Sequence, residues 1–141
     1  ELPLELEEYY QRYFSNRLAV VKYADQYESE FEKRVTRGEQ LKQEIESLRS
    51  EIEATTSELT IQRNAIESSR RELDNLRRDG QFEEYNSNVP EFNNQIVSYN
   101  QQVQAVSAKI DRHDSLVNEL RALQIEISDL YNVIDSRPQS L

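Results

Sequence analysis

A seven-residue repeat in the second half of the chain constrains its fold more than any other feature. Tyr85-Asn86, Phe92-Asn93 and Tyr99-Asn100 recur seven apart, with Val89, Ile96, Val103, Ile110 and Val117 falling between and beyond. A heptad sets large residues alternately three and four apart, which is the seam that a long helix presents to a partner helix. The first half carries its own version: Leu41, Ile45, Leu48, Ile52, Thr55, Leu59, Gln62, Ile66, Ser69, Leu73 and Leu76. One position of that repeat is always Ile or Leu. The other turns polar or small at Thr55, Gln62 and Ser69, which weakens a seam but fixes its register. Glu67 with Arg71 and Asp74 with Arg78 sit four apart on the outside, as expected for one uninterrupted helix.

Composition agrees with paired helices. Of 141 residues 36% are hydrophobic and 31% charged, with two Gly and three Pro. That is too polar to fill a globular core, and it suits helices that bury only stripes. The expectation is a single all-α domain over residues 1–141, folded as a long antiparallel coiled-coil helical hairpin.

Its boundaries follow from helix-stop signals. Arg77-Arg78-Asp79-Gly80 combines basic residues that complement the helix dipole with a Gly suited to the left-handed conformation past a helix end. Ser87 and Asn88 are good N-cap types that would place Pro90 in a first turn, where it is tolerated. The first arm is therefore expected over 38–78, a connection over 79–88 and the second arm over 89–135. Pro138 disfavours helix at Arg137, leaving 136–141 as a tail. The second arm should bury Phe92, Ile96, Tyr99, Val103, Val106, Ile110, His113, Val117 and Leu120, with the seam then shifting to Leu116, Leu120, Leu123, Ile127, Leu130 and Ile134. Folding about residues 83–84 sets Ser69 near Tyr99, Thr55 near Ile110 and Ile52 near His113, and the second arm runs out opposite residue 31.

The first 30 residues then lack an obvious partner, although the helical segment they belong to, 4–37, is rich in aromatic and other apolar groups. Tyr9, Tyr10, Tyr13, Phe14, Tyr23, Tyr27 and Phe31 are seven of the twelve aromatics, and Leu18, Val20, Val21 and Ala24 add to them. Two arrangements are open. The segment folds back as a third helix after a capping box at Thr36-Arg37-Gly38-Glu39. Or it continues the first arm, as a helix of about 75 residues and roughly 110 Å, and meets another chain. Tyr9, Tyr10, Tyr13, Phe14, Tyr23 and Tyr27 are the candidate interaction surface, for a protein partner or for self-association as a homodimer.

Several function classes are disfavoured. The net charge of −10 and the scattered basic pairs argue against nucleic-acid binding. The absence of Cys removes thiolate chemistry, and the only histidine, His113, falls on the seam, where packing is its ordinary role. Neither a phosphate-cradling Gly loop nor a metal-ligand spacing is present, so no catalytic, cofactor or metal residue is expected and the chain reads as non-enzymatic. Asn86, Asn93 and Asn100 could form an amide ladder for a partner, or hydrogen-bond between helices at the seam edge. No run is long enough to insert in a membrane. The missing Met suggests a fragment, with an anchor or signal lying outside it.

The run Gly80-Gln81-Phe82, Tyr85-Asn86, Val89-Pro90, Phe92-Asn93, Ile96, Tyr99-Asn100 and Val103, with the later Leu116-Val117-Asn118-Glu119-Leu120 and Tyr131-Asn132, resembles the coiled-coil region of bacterial membrane-anchored proteins with Y-N-x-x-V heptads. In some of these the region lies next to a matrixin-like metalloprotease domain. The resemblance covers residues 80–135. It implies an extracytoplasmic or periplasmic place in the cell envelope and a spacer or scaffold role, and it transfers no catalytic residue. A helical ligand- or lipid-binding module and a regulatory arm of an adjacent enzymatic domain are the alternatives.

Overall fold

The computed structural model describes residues 4–135. They form two α-helices and no strand: α1, Leu4–Arg78, and α2, Phe82–Asp135. The chain is a helical hairpin. Its contacts divide into two compact units. One holds the described residues up to Gln43 and from Asn118 on; the other is Glu44–Val117.

Within Glu44–Val117 the reversal takes three residues, Asp79 to Gln81. The amide of Gln81 donates to the carbonyl of Leu76 at 2.9 Å, and that of Gly80 to Arg77 at 3.3 Å. Gly80 lies at φ 75°, where a side chain would be strained. This is a Schellman termination, which satisfies carbonyls that a helix end otherwise leaves unpaired. The carbonyl of Gln81 accepts from the amide of Tyr85 at 3.0 Å and so opens α2 at once, with Glu83 and Glu84 in its first turn.

The connection expected over 79–88 is thus shorter, and Pro90 lies inside α2. An interior Pro removes one backbone hydrogen bond and crowds the preceding turn. Tyr85, Asn88 and Val89 are half-buried, and their packing holds the turn that Pro90 disfavours. The hairpin consequently folds about Gly80 and not about residues 83–84. Ser69 and Leu73 line one cavity with Phe92 and Gln95, where Ser69 had been matched to Tyr99. The displacement is one heptad, which preserves the faces that meet and changes which residues meet on them.

Every seam position read in α1 from Leu41 to Leu76 is buried or half-buried, with Leu41, Leu59 and Leu73 the most enclosed. On α2 the reading needs one correction. Val103 and Ile110 remain 38% and 40% exposed. Val106 is buried as expected, and Gln102 and Lys109 take inward positions beside it. The α2 seam runs through Asn88, Gln95, Gln102 and Lys109 as one column, level with the polar Thr55, Gln62 and Ser69 of α1. The side-chain carbonyl oxygens of Gln95 and Gln102 are buried without a hydrogen-bond partner in the protein. Such groups cost stability and penalise alternative registers. Lys109 reaches Glu51 at 3.4 Å, and Arg112 pairs with Glu44. His113 is half-buried on the seam, with Nδ1 3.2 Å from the Asp114 carboxylate. On the outside, Glu67 meets Arg70 at 2.8 Å and Arg71 at 4.0 Å.

In the other unit α1 passes through Thr36-Arg37-Gly38-Glu39 without a break, so the segment 4–37 extends the first arm and does not fold back. Gly38 is buried against α2; a Cβ placed on it would lie 3.7 Å from Leu123, 3.8 Å from Ile127 and 3.9 Å from Leu120. Arg34 occupies a seam position. Its Nε donates to Glu126 at 2.9 Å, and its Nη1 donates to Glu30 at 2.6 Å. The second of these bonds, with the nearby positive charge of Lys33, holds the Glu30 carboxyl below its ordinary pKa. Arg37 donates to Glu119 at 3.1 Å, and the Phe31 and Tyr131 rings meet with centroids 6.3 Å apart.

Candidate interaction surface

The N-terminal third of α1 is held in place by helix propagation from the packed part of the same helix. Acidic Glu5 and Glu7 in its first turn complement the dipole at that end. The 4–3 spacing of the packed region continues toward the N-terminus without a change of phase: Phe31, Tyr27, Ala24, Val20, Arg17, Tyr13, Tyr10 and Leu6. A second apolar stripe, Val21, Leu18 and Phe14, runs beside it.

α2 covers more of this face than its expected end opposite residue 31 allows. The one-heptad displacement carries α2 further along α1. Val133 and Ile134 line an apolar groove of about 180 Å³ with Val20, Tyr23, Ala24 and Tyr27. Tyr23 and Tyr27 therefore sit at the margin of the packed region, still substantially exposed. Tyr9, Tyr10, Tyr13 and Phe14 lie beyond it. Tyr9 meets Tyr10 edge-on at 5.8 Å, and Tyr13 meets Phe14 edge-on at 5.6 Å. These are contacts between sequence neighbours and cover little area: Tyr9 is 63% and Phe14 56% exposed. The face also includes Leu4, Leu6 and Leu18, all exposed, of which Leu4 and Leu6 escaped the reading of the sequence because they carry no aromatic signal.

An apolar face of this extent is unusual on a lone chain. Four rings exposed by about half leave on the order of 400 Å² in water, since such a side chain offers 150–250 Å². Asn86, Asn93 and Asn100 are exposed on α2, off the seam. Among the described residues no cluster of His, Cys, Asp or Glu is arranged to hold a metal ion, and no helix is long and apolar enough to cross a membrane. Two further grooves, of about 240 and 390 Å³, lie over the polar seam stretch and open to solvent.

Comparison with protein-family models, curated proteins and solved structures gives no match. Function therefore has to be argued from the surface itself.

Proposed function

We propose that this chain is a non-enzymatic protein-interaction module: an antiparallel coiled-coil hairpin that serves as a spacer or scaffold and associates through the aromatic N-terminal face of α1. The observation that carries the reading is the continuous seam. Its packed part is covered by α2, and the same phase runs on through Val20, Tyr13, Tyr10 and Leu6 with those side chains exposed. A seam in phase with a covered one is built for another helix. Tyr and Phe are also residue types that concentrate binding energy at interfaces.

The Y-N-x-x-V heptads add the expectation of an extracytoplasmic place in the bacterial cell envelope. A lipid or small-ligand role is less well supported. The apolar groove beside Tyr23 and Tyr27 holds about 180 Å³, below the roughly 300–1,000 Å³ of ordinary ligand pockets. The test is the double substitution Tyr13→Ser with Phe14→Ser, followed by solution mass and thermal unfolding. Association should weaken while the hairpin stays folded. Loss of hairpin stability with association intact would show these rings to be core and refute the interface.

A further inference from the structure

Resting on the self-association reading, we propose that the occupant of this face is the same segment of a second copy, running in the opposite direction, with the two Tyr10 and two Tyr13 rings at its centre. Three observations converge on that arrangement.

The first is the span left free. α2 meets this face at the groove that Val133 and Ile134 line with Val20, Tyr23, Ala24 and Tyr27. The seam positions beyond that groove are Leu6, Tyr10, Tyr13 and Arg17. An identical segment laid antiparallel fills that span.

Phase is the second. Where the hairpin is packed, the Gly38 column of α1 faces the Leu123 column of α2, and these are opposite columns of the two heptads. Applying the same rule to two copies of the free seam pairs Tyr10 of each with Tyr13 of the other, and Leu6 of each with Arg17 of the other. The four rings with Leu4, Leu6, Leu18, Val20 and Val21 bring the available area close to the roughly 800 Å² that each partner of a stable interface buries.

Charge is the third. Glu5, Glu7 and Glu8 occupy one end of the segment, and Arg12, Arg17 and Lys22 follow. A parallel pair stacks glutamate on glutamate and arginine on arginine. The antiparallel pair sets Arg17 against Leu6 of the second copy, beside Glu5 and Glu7. The hairpin already contains this device: Arg34 sits in the seam and bonds Glu126, the neighbour of the seam residue Ile127. The two-fold axis repeats the Arg17 contact at both ends of the interface.

The chain has no Cys, so engineered cysteines report without background. Two variants are prepared, Leu6→Cys and Arg17→Cys, each checked for helicity, and oxidised separately and as a mixture. The mixture should give the mixed disulfide as the dominant product, and each variant alone should cross-link poorly, because like positions stand far apart along the helices. Efficient disulfides within each variant alone, with a dimeric mass for the unmodified protein, would overturn the antiparallel arrangement and leave self-association standing. A monomeric mass at all concentrations with no cross-linking would overturn self-association itself. As a second readout, Arg17→Glu should raise the dimer dissociation constant about tenfold, and combining it with Glu7→Arg should restore it. No restoration in the combined variant would count against the pairing.

Discussion

Gly38→Ala should make this protein more stable, although the residue is buried. Gly in a helix interior costs about 1 kcal/mol relative to Ala. Gly38 lies within α1 and has no positive φ to protect. The new methyl would meet Leu123, Ile127 and Leu120 at 3.7 to 3.9 Å. That is ordinary van der Waals contact, so nothing has to move, and burying one methyl adds about 0.8 kcal/mol. The two contributions together come to roughly 1.5–2 kcal/mol. For a chain of this length each kcal/mol raises the melting temperature by about 4 °C, so far-UV circular dichroism should show a rise of roughly 6–8 °C. Gly38→Leu serves as the contrast; its branched side chain overfills the site and should lower the melting temperature. A loss of stability in Gly38→Ala would refute the reasoning. It would mean either that the helices approach more closely at Gly38 than these distances allow, or that α1 breaks there and uses the Gly as a turn.

Three further outcomes are expected. Leu59→Ala, at one of the most enclosed seam positions, should cost about 2–4 kcal/mol by chemical denaturation, and a change under about 0.5 kcal/mol would place Leu59 at the surface. Pro90→Ala should stabilise α2 by up to about 3 kcal/mol, and an unchanged denaturation midpoint would show that Pro90 does not strain the helix. The Glu30 carboxyl is held below its ordinary pKa by its bond to Arg34 and the charge of Lys33; the stabilisation it provides is present above the ordinary carboxylate pKa and is lost as pH falls through the lowered one. A titration by nuclear magnetic resonance should find its midpoint lowered in the parent protein and returned upward in Arg34→Ala.

The first arm was legible because Leu41 through Leu76 alternate by four and three with little competition from other apolar residues. In α2 the aromatic column was read correctly, as were Leu116, Leu123 and Leu130 of the second column, and only the middle of that second column was not. Val103 and Ile110 drew attention as the apolar neighbours, yet Gln102 and Lys109 face inward. The reason lies in the pairing. Gln95 shares cavities with Leu73 and Ile66, so the polar α2 column lies against the Ile and Leu column of α1, which a single helix read alone does not reveal. The start of α2 was hidden by Pro90, a strong local signal overridden by the packing of Tyr85 and Val89. The candidate face was legible as composition in Tyr9 to Tyr27. Its extent was not, because that depends on how far α2 reaches, and a one-heptad change in register moves that limit while leaving every periodicity intact.

The polar stretch also shapes the order in which the chain closes. Next to the three-residue reversal the apolar residues Leu73, Leu76, Tyr85 and Val89 can collapse while closing a loop of only about 15 residues, a cheap first event. Zipping outward then meets the stretch that holds Thr55, Gln62 and Ser69 on α1 and Gln95 and Gln102 on α2, where each added turn fixes backbone for little apolar reward. Further out, the contacts change in kind. Arg112 with Glu44 spans 68 residues and Arg34 with Glu126 spans 92. Loop-closure entropy grows only with the logarithm of length, so passing from about 15 residues to 68 costs only about 1.3 kcal/mol, and from 68 to 92 about 0.3 kcal/mol more. Burial of the apolar residues Ile45, Leu48 and Leu116 outweighs the first of these costs. The hairpin can thus close at both ends of its polar stretch and fill the middle last, so that the register is decided by two distant apolar clusters agreeing with each other and not by a zipper counting from the turn.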